Sequence, residues 1–185
     1  MHYGLFDNEN HFIGVIVFAG ISVVETLIGA FEGFDRHSDQ SGFWELTRLS
    51  MDDELKKPNL TSWFVAHSIR KLRQEHEVKA IISYADSKYH SGYIYQATNF
   101  KYYGLAPQKN DFFYVVDNQE KQLWRGSTKG LVGEWRERSR KHRYMIVYDN
   151  SLKIKWQEEK YPKGDNHEYE LKQPVNMQMN IFDYL

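Results

Sequence analysis

Cysteine is absent from all 185 residues, which excludes disulfides, thiolate zinc sites and cysteine nucleophiles. Any metal has to be held by His, Asp, Glu or Tyr, and the absence fits a reducing, intracellular setting. Long apolar runs are missing as well. The most apolar stretch near the N-terminus, "GVIVFAGISVV", is short and has no basic flank before it, so neither a signal peptide nor a membrane span is predicted. A cytoplasmic protein without membrane attachment is expected. The net charge is only −1, so composition gives no global pull toward nucleic acid. The low hydrophobicity and high net charge that mark disorder are also lacking.

What is present suffices for one core, since 41% of the chain is hydrophobic. One globular domain is expected over residues 1–163, followed by a polar, extended tail over 164–185. "YGLFD" and "HFIGVIVFAG", parted by the polar "NENH", read as a hairpin. "ISVVETLIGAFEG" fits a short helix and "FDRHSDQSG" a loop. "FWELTRLSM" alternates as a strand does, with Trp44, Leu46 and Leu49 turned away from Glu45, Thr47 and Arg48. "LTSWFVAHSIRKLRQEH" carries Val65, Ile69 and Leu72 on one helical stripe, after an Asn or Thr cap. "VKAIISYAD" reads as a buried strand running into a helix from about Ser91. "FKYYGLA", "DFFYVVD" and "RYMIVYD" read as further strands, whereas "STKGLVGEWRERSRK" reads as irregular and basic. Alternating elements need a sheet covered by helices, so the fold class is α/β with a mixed central sheet flanked by helices.

"YADSKYHSGYIYQATNFKYYG", residues 84–104, gathers tyrosines with an aspartate, a histidine and an asparagine where a structural helix would carry aliphatics. Asp86 falls at the carboxyl end of a strand, where α/β proteins converge their ligand-binding groups. On a helix, Tyr95, Asn99 and Tyr102 share a face at i, i+4 and i+7, with Ile94, Ala97 and Thr98 opposite. The plainer account is a tyrosine bonded to an aspartate that caps the following turn. His90 lacks a second His at ligand spacing, and Asp52 and Asp53 read as loop or capping carboxylates. Glu45 and Arg48 read as a surface pair.

Basic charge is local. "WRERSRKHRYM" holds five Arg/Lys against one Glu, and Arg136, Arg138, Arg140, Lys141, His142 and Arg143 are interleaved with Trp135 and Tyr144. Arg and Lys meet phosphates and aromatics stack on bases, so double-stranded DNA is the expected partner, with Lys163 as an additional phosphate contact. The alternative is a solvated loop. In the tail, Gln178, Met179, Ile181 and Phe182 of "QMNIF" resemble the short peptide by which bacterial proteins dock on the replication sliding clamp. The alternative is a terminal strand that tucks Ile181 and Phe182 onto the body.

Several blocks in order, "WELTRLSMDD…NLTSWFVAHSIRKL", "YAD…HSGYIYQATNFKYYG", "KHRYMIVYD" and "YPK", resemble the phage Mom-type DNA modification proteins. The resemblance runs from about residue 4 to residue 163. It implies a GNAT acyltransferase-like fold in a bacterial host cell and an enzyme placing a carbamoylmethyl group on the N6 amine of adenine, against restriction. It also implies acetyl-CoA or a related acyl donor, and iron or another divalent metal. By the same resemblance Asp86 and Tyr95 become the catalytic, metal-proximal pair, with Tyr84 in support. Its His-Tyr element is expected well upstream of the first strand, whereas His2 and Tyr3 stand almost on it. "SMDDELKKPNLTS" has no glycine, so Lys56, Lys57, Asn59 and Ser62 are the candidates to cradle a pyrophosphate. Two alternatives stay open: a GNAT N-acyltransferase acting on a small amine or protein, and a non-catalytic relative that binds DNA or the clamp.

Overall fold

The structure, a computed structural model, describes residues 1–55, 57–123 and 126–163. The hairpin forms as read: β1 (His2–Phe6) pairs antiparallel with β2 (Phe12–Gly20). A short α1 (Glu25–Ala30) and a loop lead to β3 (Phe43–Met51), which lies antiparallel beside β2. α2 (Leu60–Glu75) then carries the chain back to β4 (Ala80–Asp86), parallel to β3. Such a crossover is the usual way to join parallel neighbours. After a single turn of helix, α3 (Tyr93–Gln96), come β5 (Lys101–Leu105), β6 (Asn110–Val116), β7 (Gln119–Leu123), β8 (Gly133–Glu137) and β9 (Lys141–Val147).

Nine strands make two sheets among the described residues. Six form a mixed sheet in the order β1-β2-β3-β4-β9-β5, and three form a separate sheet ordered β7-β6-β8. Strand alternation divides the large sheet into two apolar faces. On one, Phe64, Val65, Ile69 and Leu72 of α2 pack with Ile16, Phe18, Leu46, Ile81 and Ala85. On the other, Leu27, Ala30 and Phe31 pack with Phe43, Ala80, Ile82 and Met145. The α/β class with a central mixed sheet is thus the observed one.

Two expectations are corrected. The helix from Ser91 stops at Gln96, because Asn99 takes a left-handed conformation (φ 65°) that breaks the helical run, and Tyr102 enters β5 instead. Tyr95, Asn99 and Tyr102 therefore share no helical face, and Ala97 is exposed rather than packed. The stretch read as irregular contains β8, whose partner β6 lies about twenty residues upstream.

Candidate functional site

The parallel pair β3/β4 is in register from Phe43↔Ala80 to Leu46↔Ser83, although the strands run on to Met51 and Asp86. Ser83 Oγ donates to the Leu46 carbonyl (2.9 Å) at the last paired rung. Beyond it the strands part. The gap is a cleft of about 370 Å³ lined by Thr47, Arg48, Leu49, Met51, Asp53, Thr61, His90, Ile94 and Tyr95. It lies at the carboxyl ends of two parallel strands, beside the start of α2, where α/β sheets present ligand sites.

Tyr95 forms one wall and is itself buried. Burial raises its pKa, opposed by a hydrogen bond to Ser83 and reinforced by the Glu45 carboxylate. Its ring stands 5.2 Å from Tyr144, which stands 5.2 Å from Tyr102, so three tyrosines form a packed ladder. Tyr144 donates to the Ser91 carbonyl and accepts from Gln96 Nε2 (3.1 Å), and burial pushes its phenol up to about 12. At the end of the ladder the Tyr102 hydroxyl meets His142 Nδ1 at 2.8 Å. Burial and the neighbouring His90 lower the His142 pKa, which favours its neutral form.

α2 begins at Asn59, left-handed (φ 62°), without a side-chain cap. In its first turn the Leu60 amide bonds the Lys57 carbonyl (3.1 Å) and the Trp63 amide bonds the Asn59 carbonyl (2.9 Å). Ser62 Oγ is turned back to the Asn59 carbonyl (2.9 Å). Thr61 Oγ1 lies buried in the cleft wall and has no hydrogen-bond partner among the described residues. Lys57 is half-buried just ahead of the helix, and Lys56 lies outside the described residues. Arg48 is exposed on β3 at the cleft, with no ion-pair partner among the described residues.

The sequence profile of the Mom protein family matches residues 1–163. The chain belongs to the Mom protein family. No curated protein sequence matches it. Solved structures with a related arrangement include a GNAT-family acetyltransferase from Bacillus anthracis, with 11% identity, TM-score 0.45, and 79% of this chain and 65% of that chain covered. A Bacillus subtilis acetyltransferase in complex with CoA gives 11%, 0.45, 80% and 76%. A GNAT acetyltransferase from Elizabethkingia anophelis with acetyl-CoA bound gives 10%, 0.42, 77% and 72%. Scores this low say nothing about what the present chain binds.

In this Mom family member the expected metal pair does not come together. Alternation along β4 sends Ser83 and Ala85 to the α2 face with Tyr95, and Tyr84 and Asp86 to the opposite face. Asp86 Oδ2 is ion-paired with Lys141, and its Oδ1 accepts the Lys88 amide (3.0 Å). Burial pushes the Asp86 carboxyl up, but Lys141, Ser139 and the Lys88 amide outweigh it and hold it at about 2. With both oxygens committed and Tyr95 bonded to Ser83, these two residues do not fit a shared iron or other divalent ion. No cluster of three His, Cys, Asp or Glu suited to a metal occurs among the described residues. Tyr84 is half-buried among the α1 side chains, and burial raises its pKa.

The basic run is largely occupied with the protein's own acceptors. Arg136 forks onto Glu120 (2.6 and 2.9 Å) and also pairs with Glu134. Arg138 Nε reaches both oxygens of Asp111 (2.9 Å each), and Arg140 Nε donates to the Ala106 carbonyl (2.7 Å). Arg143 stacks over Trp156 at 4.7 Å. Lys141 and His142 are engaged as described, which leaves Lys163 exposed. Gln178, Met179, Ile181 and Phe182 lie outside the described residues, as does the whole segment 164–185. No helix among the described residues is long and apolar enough to cross a membrane.

Sequence reasoning gave Thr47, Arg48 and Thr61 no part in the site. Their signal was positional: Arg48 falls beyond the last paired rung of β3, and Thr61 is the second residue of the helix that follows. Glu45 is half-buried, with burial raising its pKa, and is not half of a surface pair.

Proposed function

We propose that this chain is a DNA-modifying transferase that places an acyl group on the N6 amine of adenine. The observation that carries this reading is the cleft where β3 and β4 part. It combines an uncapped helix start, the orphaned Thr61 hydroxyl and an unpaired Arg48 with a tyrosine wall. Membership of the Mom family supports the acceptor.

The residues at the start of α2 fit a coenzyme A-type donor. Lys57 and the amides of Thr61 and Ser62 would meet its phosphates, and the Thr61 hydroxyl would gain a partner. Such a donor supplies an activated thioester. The adenine amine is a weak nucleophile, so it has to be taken out of the stack and desolvated against a wall of fixed dipoles. Tyr95, held through Ser83 to the sheet, provides a rigid piece of that wall. As the new N–C bond forms and the C–S bond of the thioester breaks, the proton the amine loses leaves with the thiol. Asp86 acts on position, since its two oxygens fix Lys141 and the turn that carries His90.

Co-expression with a plasmid, digestion of the DNA to nucleosides and mass spectrometry test the reading. A new adenine derivative is expected, lost with Arg48→Ala and reduced with Tyr95→Phe and Asp86→Ala. Folded protein that binds CoA but leaves every nucleoside unaltered overturns the DNA acceptor and points to a small amine or a protein instead.

A further inference from the structure

Apart from the half-buried Tyr84, the tyrosines of residues 84–104 divide into two groups. Tyr95, Tyr102 and Tyr103 are buried, and each has a ring contact. Tyr89 and Tyr93 are each 70% exposed, and neither ring stacks on another aromatic ring among the described residues. We propose that Tyr89 and Tyr93 are stacking platforms for unpaired DNA bases at the cleft mouth, with Lys88 and Arg48 meeting the adjoining phosphates. The inference rests on the DNA acceptor proposed above and names how that acceptor is gripped.

Position is the first argument. Along the chain Tyr89 and Tyr93 flank His90, which lines the cleft, and Tyr93 directly precedes Ile94, which also lines it. Rigidity is the second. The Tyr89 and His90 amides both bond the Asp86 carbonyl (3.0 Å each), the Ser87 amide bonds the Arg140 carbonyl (3.0 Å), and the Gly92 amide bonds His90 Nδ1 (3.1 Å). A loop tied at so many points presents its rings with little entropy left to lose on binding. Charge is the third. Lys88 Nζ lies 5.6 Å from the Tyr89 ring centroid and, like Arg48, has no ion-pair partner among the described residues. The arginines of the basic run, by contrast, are engaged within the protein. Exposed aromatics beside unpaired cations suit a base with its phosphate, because every base offers a π face to stack while the cation meets the backbone.

The test is fluorescence anisotropy of the full chain on a mixed-sequence single-stranded oligonucleotide at several salt concentrations. Tyr89→Ala and Tyr93→Ala should each weaken binding by roughly ten-fold or more, the usual loss for one stacked base. The two Tyr→Phe variants should bind as wild type, since the ring and not the hydroxyl is used. Neither aromatic change should alter the salt slope, whereas Lys88→Ala should lower it by about 0.7, one phosphate on a single strand. All positions are exposed, and an unchanged melting temperature confirms folding. Wild-type affinity in the alanine variants overturns the proposal, as does a Phe variant as weak as Ala. So does an equal loss on fully paired duplex. The outcomes stay separable from the transferase reading: tyrosine-dependent binding with no nucleoside modified leaves the platforms standing and sinks the enzyme. Modification that persists at wild-type level in a double alanine variant of unchanged affinity sinks only the platforms.

Discussion

The large sheet and the small one treat their polar groups in opposite ways. In the six-stranded sheet both faces are buried, and where two strands part the cleft holds Thr61 Oγ1, without a hydrogen-bond partner, and Arg48, without an ion-pair partner among the described residues. In the three-stranded sheet Val115 and Trp135 stay exposed, yet Arg136 and Arg138 are matched to Glu120, Glu134 and Asp111. Dense charge is internally satisfied there, whereas sparse charge at the cleft is open.

Changes at four positions would break or sharpen this contrast. The largest effect is expected from Tyr144→Ala, which empties the middle of the tyrosine ladder; unfolding in urea should show a loss of about 3–5 kcal/mol. Tyr144→Phe keeps the ring and loses only the bonds to Ser91 and Gln96, for about 1 kcal/mol. Gly92→Ala comes next. Gly92 has φ 83°, and a Cβ there would come within 2.6 Å of Tyr144 and 2.9 Å of Ala85. A loss of about 2–3 kcal/mol is expected from the strained backbone and the crowded ring together.

The third concerns acid. The Asp86 carboxyl is held at about 2 in the folded chain, below its unfolded value of about 3.9. A depressed carboxyl stabilises the fold fully above the unfolded value, and that stabilisation is lost as pH falls through about 4 toward 2. Solvent screening at the rim keeps the amount near 1 kcal/mol. Asp86→Asn should flatten that limb of the stability profile while leaving other carboxylates to titrate. The smallest effect is reserved for the small sheet. Arg138→Gln should cost less than about 1 kcal/mol and leave DNA affinity and its salt slope unchanged, because its charge is already met by Asp111. A marked loss of affinity would return the basic run to the DNA surface.

Much of the scaffold was legible because local pattern fixes it. The first hairpin, β3, α2 with its Val65, Ile69 and Leu72 stripe, and β4 all formed where periodicity put them. Pairing at long range was not legible: β9 inserts between β4 and β5, and nothing near Tyr144 announces that its ring will sit between Tyr95 and Tyr102. The helix after Ser91 failed on one backbone angle, at Asn99. At the site, Tyr95 was visible as a tyrosine of interest, and Asp86 as a strand end. Which face each would take depends on parity along β4, and parity separates the two.

The small sheet has one more consequence. The chain leaves β5 at Leu105 and returns into β9 at Lys141, with Leu105 paired to His142 and the Ala106 amide bonded to the Lys141 carbonyl (2.7 Å). Departure and return are thus neighbours in the same ladder, so the whole excursion is a module that can be lengthened, trimmed or exchanged without moving a rung of the large sheet.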